Sequence, residues 1–225
     1  MRRFLILTVI AAWTILPLPD TRAGQDIIVK REAAQKFATL PDGVRFPEGI
    51  TANPNNETIY VGTFDGGPNS NKLLRFGKNG QLAGQRDFGS TPLLGLKFNP
   101  LDNKVYICNF GVSKIQRIAA NFTDTTVIED VASIPKIGPP PDRIVANPDT
   151  SQDTILFGNT FPAPNGLVFD GGNLYVSDSF QGAIFRIDNA HACSTSYPVT
   201  TVKHDGLFAT AGFPPFGANG LALNS

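Results

Sequence analysis

One pattern occurs three times along the chain and begins a fourth time. Residues 46–64 read FPEGITANPNNETIYVGTF, residues 93–110 read LLGLKFNPLDNKVYICNF, residues 163–180 read APNGLVFDGGNLYVSDSF, and residues 217–225 read GANGLALNS. The glycines that open the copies are Gly49, Gly95, Gly166 and Gly220, so the second interval is the longest. Self-similarity at a period of several tens of residues marks an array of like supersecondary units, each burying its apolar face only against its neighbours.

Each copy has the same internal grammar. A glycine is followed by a short alternating segment: Ile50-Thr51-Ala52, Leu96-Lys97-Phe98 and Leu167-Val168-Phe169. Then comes a turn built of Asn, Pro, Asp and Gly, residues that supply tight-turn dihedrals, and a second alternating segment (58–63, 104–109, 173–177) that leads into an aromatic. A third segment follows each time: 72–76, 114–118 and 183–187. A more variable fourth segment is visible over 80–88 and 126–133. Period-two alternation between turn signals predicts antiparallel strands. Three or four strands in a unit of about 40–50 residues predict an all-β β-propeller of four-stranded antiparallel blades. A β-sandwich need not repeat one glycine, turn and aromatic at matched offsets, and a β-helix repeats over shorter units. The long second interval is explained by an insertion over 137–150, whose prolines and polar residues predict an exposed loop. A closed propeller needs at least four blades, so the three units and the opening of a fourth (starts near 46, 93, 163 and 217) predict about half of a propeller, either a gene fragment or a chain completed by another.

Residues 1–23 stand outside the repeat. Arg2 and Arg3 precede an apolar run over 4–16, then Pro17, Pro19 and Thr21-Arg22-Ala23. That is the layout of a secretory signal peptide cut after Ala23, and the run is short of the roughly 20 residues that span a bilayer. A secreted or periplasmic chain without stable membrane insertion is expected, with a lead-in over 24–40 and the partial propeller over 41–225. The whole sequence holds 19 Lys+Arg against 19 Asp+Glu; without residues 1–23 the net charge becomes about −2, too little positive charge for a nucleic-acid partner. Cys108 and Cys193 occupy different parts of different repeats. They read as two unpaired thiols, or as partners of cysteines elsewhere, rather than as a mutual bridge.

In a propeller the residue before each repeat glycine lies at the mouth of the central channel. Here these residues are Glu48, Leu94, Asn165 and Asn219. One carboxylate and two amide oxygens converging on an axis form a hard-oxygen set suited to Ca²⁺, or to Mg²⁺ or Mn²⁺. By position alone the same residues also fit a turn asparagine and a solvated glutamate. Recurrence of the register on blades distant in sequence is what favours the metal. His191 and His204, beside Asp188 and Asp205, fall in segments that follow the third blade and read as solvated pairs. Asp178 reads as structural, bonding turn amides or pairing with Arg186. Gly62, Gly66 and Gly67 read as turn glycines, and the chain carries no nucleophile elbow, zinc-type cluster or phosphate loop.

The motifs PEG at 47–49, PNGLVFDGGNLYVSDS at 164–179 and ANGLALN at 218–224 resemble the senescence marker protein, gluconolactonase and paraoxonase superfamily of six-bladed propellers, over essentially residues 40–225. The third-blade motif also resembles NHL-type and strictosidine-synthase-like propellers. The resemblance to the lactonases implies that Glu48, Asn165 and Asn219 contact one divalent cation. It also implies that the family's further metal-binding Asp would fall in a fifth blade. The implied chemistry is hydrolysis of a small lactone or ester, with the catalytic base unassigned. The competing expectation is a non-catalytic NHL-like scaffold whose ligand contacts the 139–149 loop.

Overall fold

A computed structural model describes residues 34–158, 161–192, 197–212 and 216–224. The proposed signal peptide, most of the lead-in and Cys193 lie outside the described residues. Residues 36–225 form one compact unit.

The three complete repeats fold into three four-stranded antiparallel sheets with one strand order. The first comprises β1 (Pro47–Asn53), β2 (Thr58–Thr63), β3 (Asn71–Phe76) and β4 (Leu82–Gly89). The second comprises β5 (Leu93–Asn99), β6 (Lys104–Asn109), β7 (Lys114–Ala119) and β8 (Glu129–Ser133). After a separate hairpin, β9 (Arg143–Ala146) and β10 (Gln152–Ile155), the third comprises β11 (Pro164–Asp170), β12 (Asn173–Asp178), β13 (Ala183–Ile187) and β14 (Val199–His204). Identical sheets of consecutive strands, each stacked on the next, are the blades of a β-propeller.

The turn chemistry acts as the sequence predicts. Asn53 Oδ1 accepts from the Asn55 amide and Asn99 Oδ1 from the Leu101 amide, both side chains folding back onto their own turn. Glu57, Asn103 and Gly171 close the three hairpins at φ of 57°, 53° and 55°.

The middle blade is buried on both faces, and its alternation is visible in where the side chains go. Val105 and Ile107 of β6 join Tyr60, Leu73, Leu93, Leu96, Ile118 and Phe122 in the core shared with the first blade. Tyr106 and Cys108 of the same strand join Leu94, Ile115, Leu174, Val176 and Phe185 in the core shared with the third. Cys108 is unbonded and fully buried, and burial pushes its thiol pKa up, with the Asp178 carboxylate adding to the effect.

Two contacts recur at each junction. At the inner rim a Cβ built on Gly49 would lie 2.0 Å from the Leu94 carbonyl oxygen, one on Gly95 2.0 Å from that of Asn165, and one on Gly166 2.2 Å from that of Asn219. The repeat glycine is therefore where one blade's backbone touches the next. At the outer rim Tyr60 Oη donates to the Ala120 carbonyl at 3.0 Å, and Tyr106 Oη lies 2.9 Å from that of Ala190. Each tyrosine faces an arginine across its own hairpin, Tyr60 opposite Arg75, Tyr106 opposite Arg117, and Tyr175 opposite Arg186 in the third blade.

Four expectations are corrected. Gly62 is not a turn glycine but lies within β2, opposite Leu73. The 137–150 insertion is not loop throughout, since Arg143–Ala146 pairs with Gln152–Ile155; Pro148 occupies the turn between them, where it interrupts no ladder. His204 is not in a connecting segment but ends β14, opposite Ala183. The fourth copy opens no strand, because residues 216–224 make no ladder, although their backbone occupies the place against Gly166 that a following blade would take.

Candidate functional site

Every innermost strand is irregular at one place. The register shifts between Pro47 and Ile50 in β1, between Leu93 and Leu96 in β5, and between Pro164 and Leu167 in β11. These bulges fall on Glu48-Gly49, Leu94-Gly95 and Asn165-Gly166. A bulge turns a side chain out of the pleat it would otherwise follow, and such devices are frequent beside functional sites.

Glu48, Leu94, Asn165 and Asn219 all line one cavity of about 670 Å³, together with Phe46, Pro47, Phe64 and Phe216. The four residues before the repeat glycines are thus brought together. Asn165 is buried, and its Nδ2 donates to Ser179 Oγ at 2.8 Å, so among the described residues no donor reaches its amide oxygen. Glu48 and Asn219 are exposed. Glu48 makes no ion pair with a described residue, and among the described residues it is the single charged side chain of the cavity lining. Two serines place Asn219. Ser177 Oγ accepts from the Gly166 amide at 2.8 Å and donates to the Asn219 carbonyl, while Ser179 Oγ donates to the Ala218 carbonyl at 2.6 Å. Ser177→Ala is expected to lower stability by about 1–2 kcal/mol and to raise amide exchange at Gly217, whose N–H donates to the Ser179 carbonyl. Wild-type protection at Gly217 would refute this pinning role.

Aromatic side chains converge on the same mouth. Phe64 lies 5.2 Å from Phe110 and 6.4 Å from Phe216, Phe110 lies 5.6 Å from Phe180, and Phe180 lies 5.1 Å from both Phe161 and Phe216, centroid to centroid. Most of these pairs are tilted or edge-on, the arrangement the ring quadrupole favours. Each repeat advertises its aromatic, but the sequence alone does not show that the rings of three blades meet.

The other sequence candidates lie elsewhere. His204 lines a separate cavity of about 350 Å³ with Asp142, Arg143 and Asp205, and His191 does not line the Glu48 cavity. Asp178 is fully buried and accepts from the Ala163, Phe180 and Gln181 amides and from Gln181 Nε2. Burial pushes its pKa up, and these donors offset the effect in part. Its role is structural, as expected, but Arg186 pairs with Asp188 rather than with Asp178. Among the described residues no three His, Cys, Asp or Glu side chains cluster as a metal site, so any cation here would rely on one carboxylate and on amide oxygens. No helix among the described residues is long and apolar enough to cross a membrane.

No protein-family profile matches the chain, and no curated protein matches it. Among solved structures it is similar to the computationally designed Ika4 protein, with 12% identity and a TM-score of 0.47 over 86% of this chain and 89% of that one. Virginiamycin B lyase from Staphylococcus aureus is 16% identical with a TM-score of 0.41 over 83% of this chain and 63% of the lyase. A luciferin-regenerating enzyme is 10% identical with a TM-score of 0.32 over 71% of this chain and 61% of that enzyme. The chain thus spans under two thirds of both enzymes. The propeller assignment rests on the three repeated sheets.

Proposed function

We propose that the channel-mouth cavity binds a divalent cation, Ca²⁺ in the first place, through Glu48, Asn165 and Asn219, and that the exported protein hydrolyses a small lactone or ester there. The observation that carries this reading is the shared cavity: three oxygen-bearing side chains, drawn from the first blade, the third blade and the segment that follows it, line one space because they hold one register position. Their chemistry suits a hard cation. The Glu48 carboxylate has no competing partner among the described residues, and the Asn165 amide is oriented by Ser179 with its oxygen unclaimed. Such an ion, when bound, polarises an ester carbonyl and stabilises the oxyanion that forms. The residues themselves would hold the carbonyl oxygen near the axis, and since Glu48 and Asn219 are exposed, the water that attacks it can enter from solvent.

Chelation should abolish hydrolysis of a lactone and Ca²⁺ should restore it. Glu48→Gln should weaken Ca²⁺ binding at least tenfold by calorimetry, since it removes the single charged ligand. Rates indifferent to chelation would overturn the metal reading. One observation favours a second reading: among the described residues the cavity lining offers no acid or base besides Glu48. Ca²⁺ binding without turnover would make the protein a metal-stabilised binding scaffold.

A further inference from the structure

We propose that the outer junction between the first and second blades binds one small monovalent anion, a halide of the size of chloride, beside Arg75.

The two outer junctions are built on one plan but carry different charges. Their hairpin turns align residue for residue, Asn53-Pro54-Asn55-Asn56-Glu57-Thr58 with Asn99-Pro100-Leu101-Asp102-Asn103-Lys104, and the positive φ falls at the same place, Glu57 and Asn103. Arg75 and Arg117 also hold equivalent positions. Each lies opposite its blade's tyrosine on one side and a residue of the fourth strand on the other, Gly84 for Arg75 and Glu129 for Arg117. At the second junction the cations Lys104 and Arg117 meet the carboxylates of Asp102 and Glu129, and Asp102 Oδ2 also accepts from Tyr106 Oη at 2.7 Å. At the first junction the same four positions read Thr58, Arg75, Asn56 and Gly84, so one cation remains and both carboxylates are gone. Glu57 does not replace them, since it is exposed and makes no ion pair with a described residue. Nor can the fourth strand supply one, because a Cβ at Gly84 would lie 2.7 Å from the Phe122 carbonyl oxygen and 3.1 Å from Arg75 Nε.

Arg75 is half-buried and makes no ion pair with a described residue. Its Nη2 donates to the Ala83 carbonyl at 2.7 Å, its guanidinium faces the Phe122 ring at 5.9 Å, and its Nε is buried without a partner. Beside it lies a cavity of about 60 Å³, lined also by Tyr60, Thr58, Asn53, Asn56 and Asn103. That exceeds the roughly 10–15 Å³ that a water-sized particle needs. Among the described residues Arg75 is the one charge of this lining. The asparagines turn donors to the space: Asn53 Oδ1 accepts from the Asn55 amide at 3.0 Å and Asn56 Oδ1 from the Thr58 amide at 3.1 Å, which leaves their Nδ2 groups to donate. Water alone would leave the guanidinium uncompensated where solvent is largely excluded, which is costly. A bare halide supplies one negative charge, accepts hydrogen bonds from any direction, and needs only the space that Asp102 Oδ2 fills at the second junction. The ion would thus complete the first junction as Asp102 completes the second.

The test varies chloride at constant ionic strength, with gluconate, too bulky for the cavity, as the replacement anion. For a site with a Kd of about 15 mM the unfolding equilibrium constant, read from urea transitions, should fall about tenfold between zero and about 150 mM chloride. The ³⁵Cl resonance should broaden on adding protein, and Arg75→Gln should remove that broadening. Asn56→Asp is the decisive variant, because aspartate accepts the Thr58 amide as asparagine does and places the second junction's own carboxylate at the first. It should abolish the chloride dependence and, without chloride, match the stability that the wild type reaches with it. Should Arg75→Gln fail to fold, Asn56→Asp carries both readouts. Wild-type urea midpoints indifferent to chloride, or a chloride dependence that persists in Asn56→Asp, overturn the proposal.

Discussion

Gly95→Ala is expected to unfold the chain or bring it close to unfolding. A Cβ at Gly95 would lie 2.0 Å from the Asn165 carbonyl oxygen and 3.2 Å from the Gly166 Cα, so both obstacles are backbone and no side chain can rotate away. Relief requires the second and third blades to separate along their whole inner rim, with loss of the core that Leu94, Tyr106, Ile115, Val176 and Phe185 share. The cost should be about 4 kcal/mol or more, against a total stability of roughly 5–15 kcal/mol for a domain. Gly66→Ala is the matched control. Nothing lies within 4 Å of a Cβ there and its φ is not positive, so its midpoint in urea should stay within about 0.5 kcal/mol of wild type. A Gly95→Ala midpoint as close to wild type as that of Gly66→Ala would show that the blades are not in backbone contact.

The glycine illustrates what the sequence could and could not disclose. Its recurrence marked the units, and the register it set placed Glu48, Asn165 and Asn219 at equivalent positions before any coordinates. Its cause was hidden, because the atom that excludes a side chain at Gly95 belongs to Asn165, a whole repeat further along the chain. The paired tyrosine and arginine of each blade repeat as plainly as the glycine. They carry no such signal, because a polar pair on a strand is ordinary and only the fold brings the hydroxyl to the neighbouring blade. The β9–β10 hairpin was masked by prolines at 139–141 and 148, which punctuate a chain whether they sit in a loop or in a hairpin's turn.

Arg117→Leu should be the most damaging change outside the repeat glycines, costing about 3–5 kcal/mol at neutral pH, the range for removing one partner from a buried charge network. The Arg117 side chain is 7% exposed. Its Nε donates to Glu129 Oε2 at 2.8 Å, and its Nη1 to Tyr106 Oη at 3.1 Å and to the Ala190 carbonyl at 2.9 Å; Asp102 lies 3.5 Å away. The guanidinium also faces the rings of Tyr106 and Tyr197 at 5.9 and 5.8 Å. Leucine would leave Asp102, 12% exposed, with no cation beside it, its Oδ1 already without a partner and only its Oδ2 held by Tyr106 Oη at 2.7 Å, and would remove the Arg117 bond to the Ala190 carbonyl of the third blade. The loss carries a pH signature. Burial pushes the Glu129 carboxylate up, but Lys104 and Arg117 outweigh it and hold the pKa below the usual 4.5. A depressed folded pKa stabilises the fold above the unfolded value and ceases to do so as pH falls through the folded value. In the variant Glu129 keeps only Lys104 as a cationic partner, so less of this stabilisation is there to be lost on acidification, and the difference between variant and wild type should narrow from pH 7 to pH 4. Urea midpoints at the two pH values measure this; a difference under about 1 kcal/mol, or one that does not change with pH, would mean that the Arg117 charge network does not hold the blades together at the outer rim.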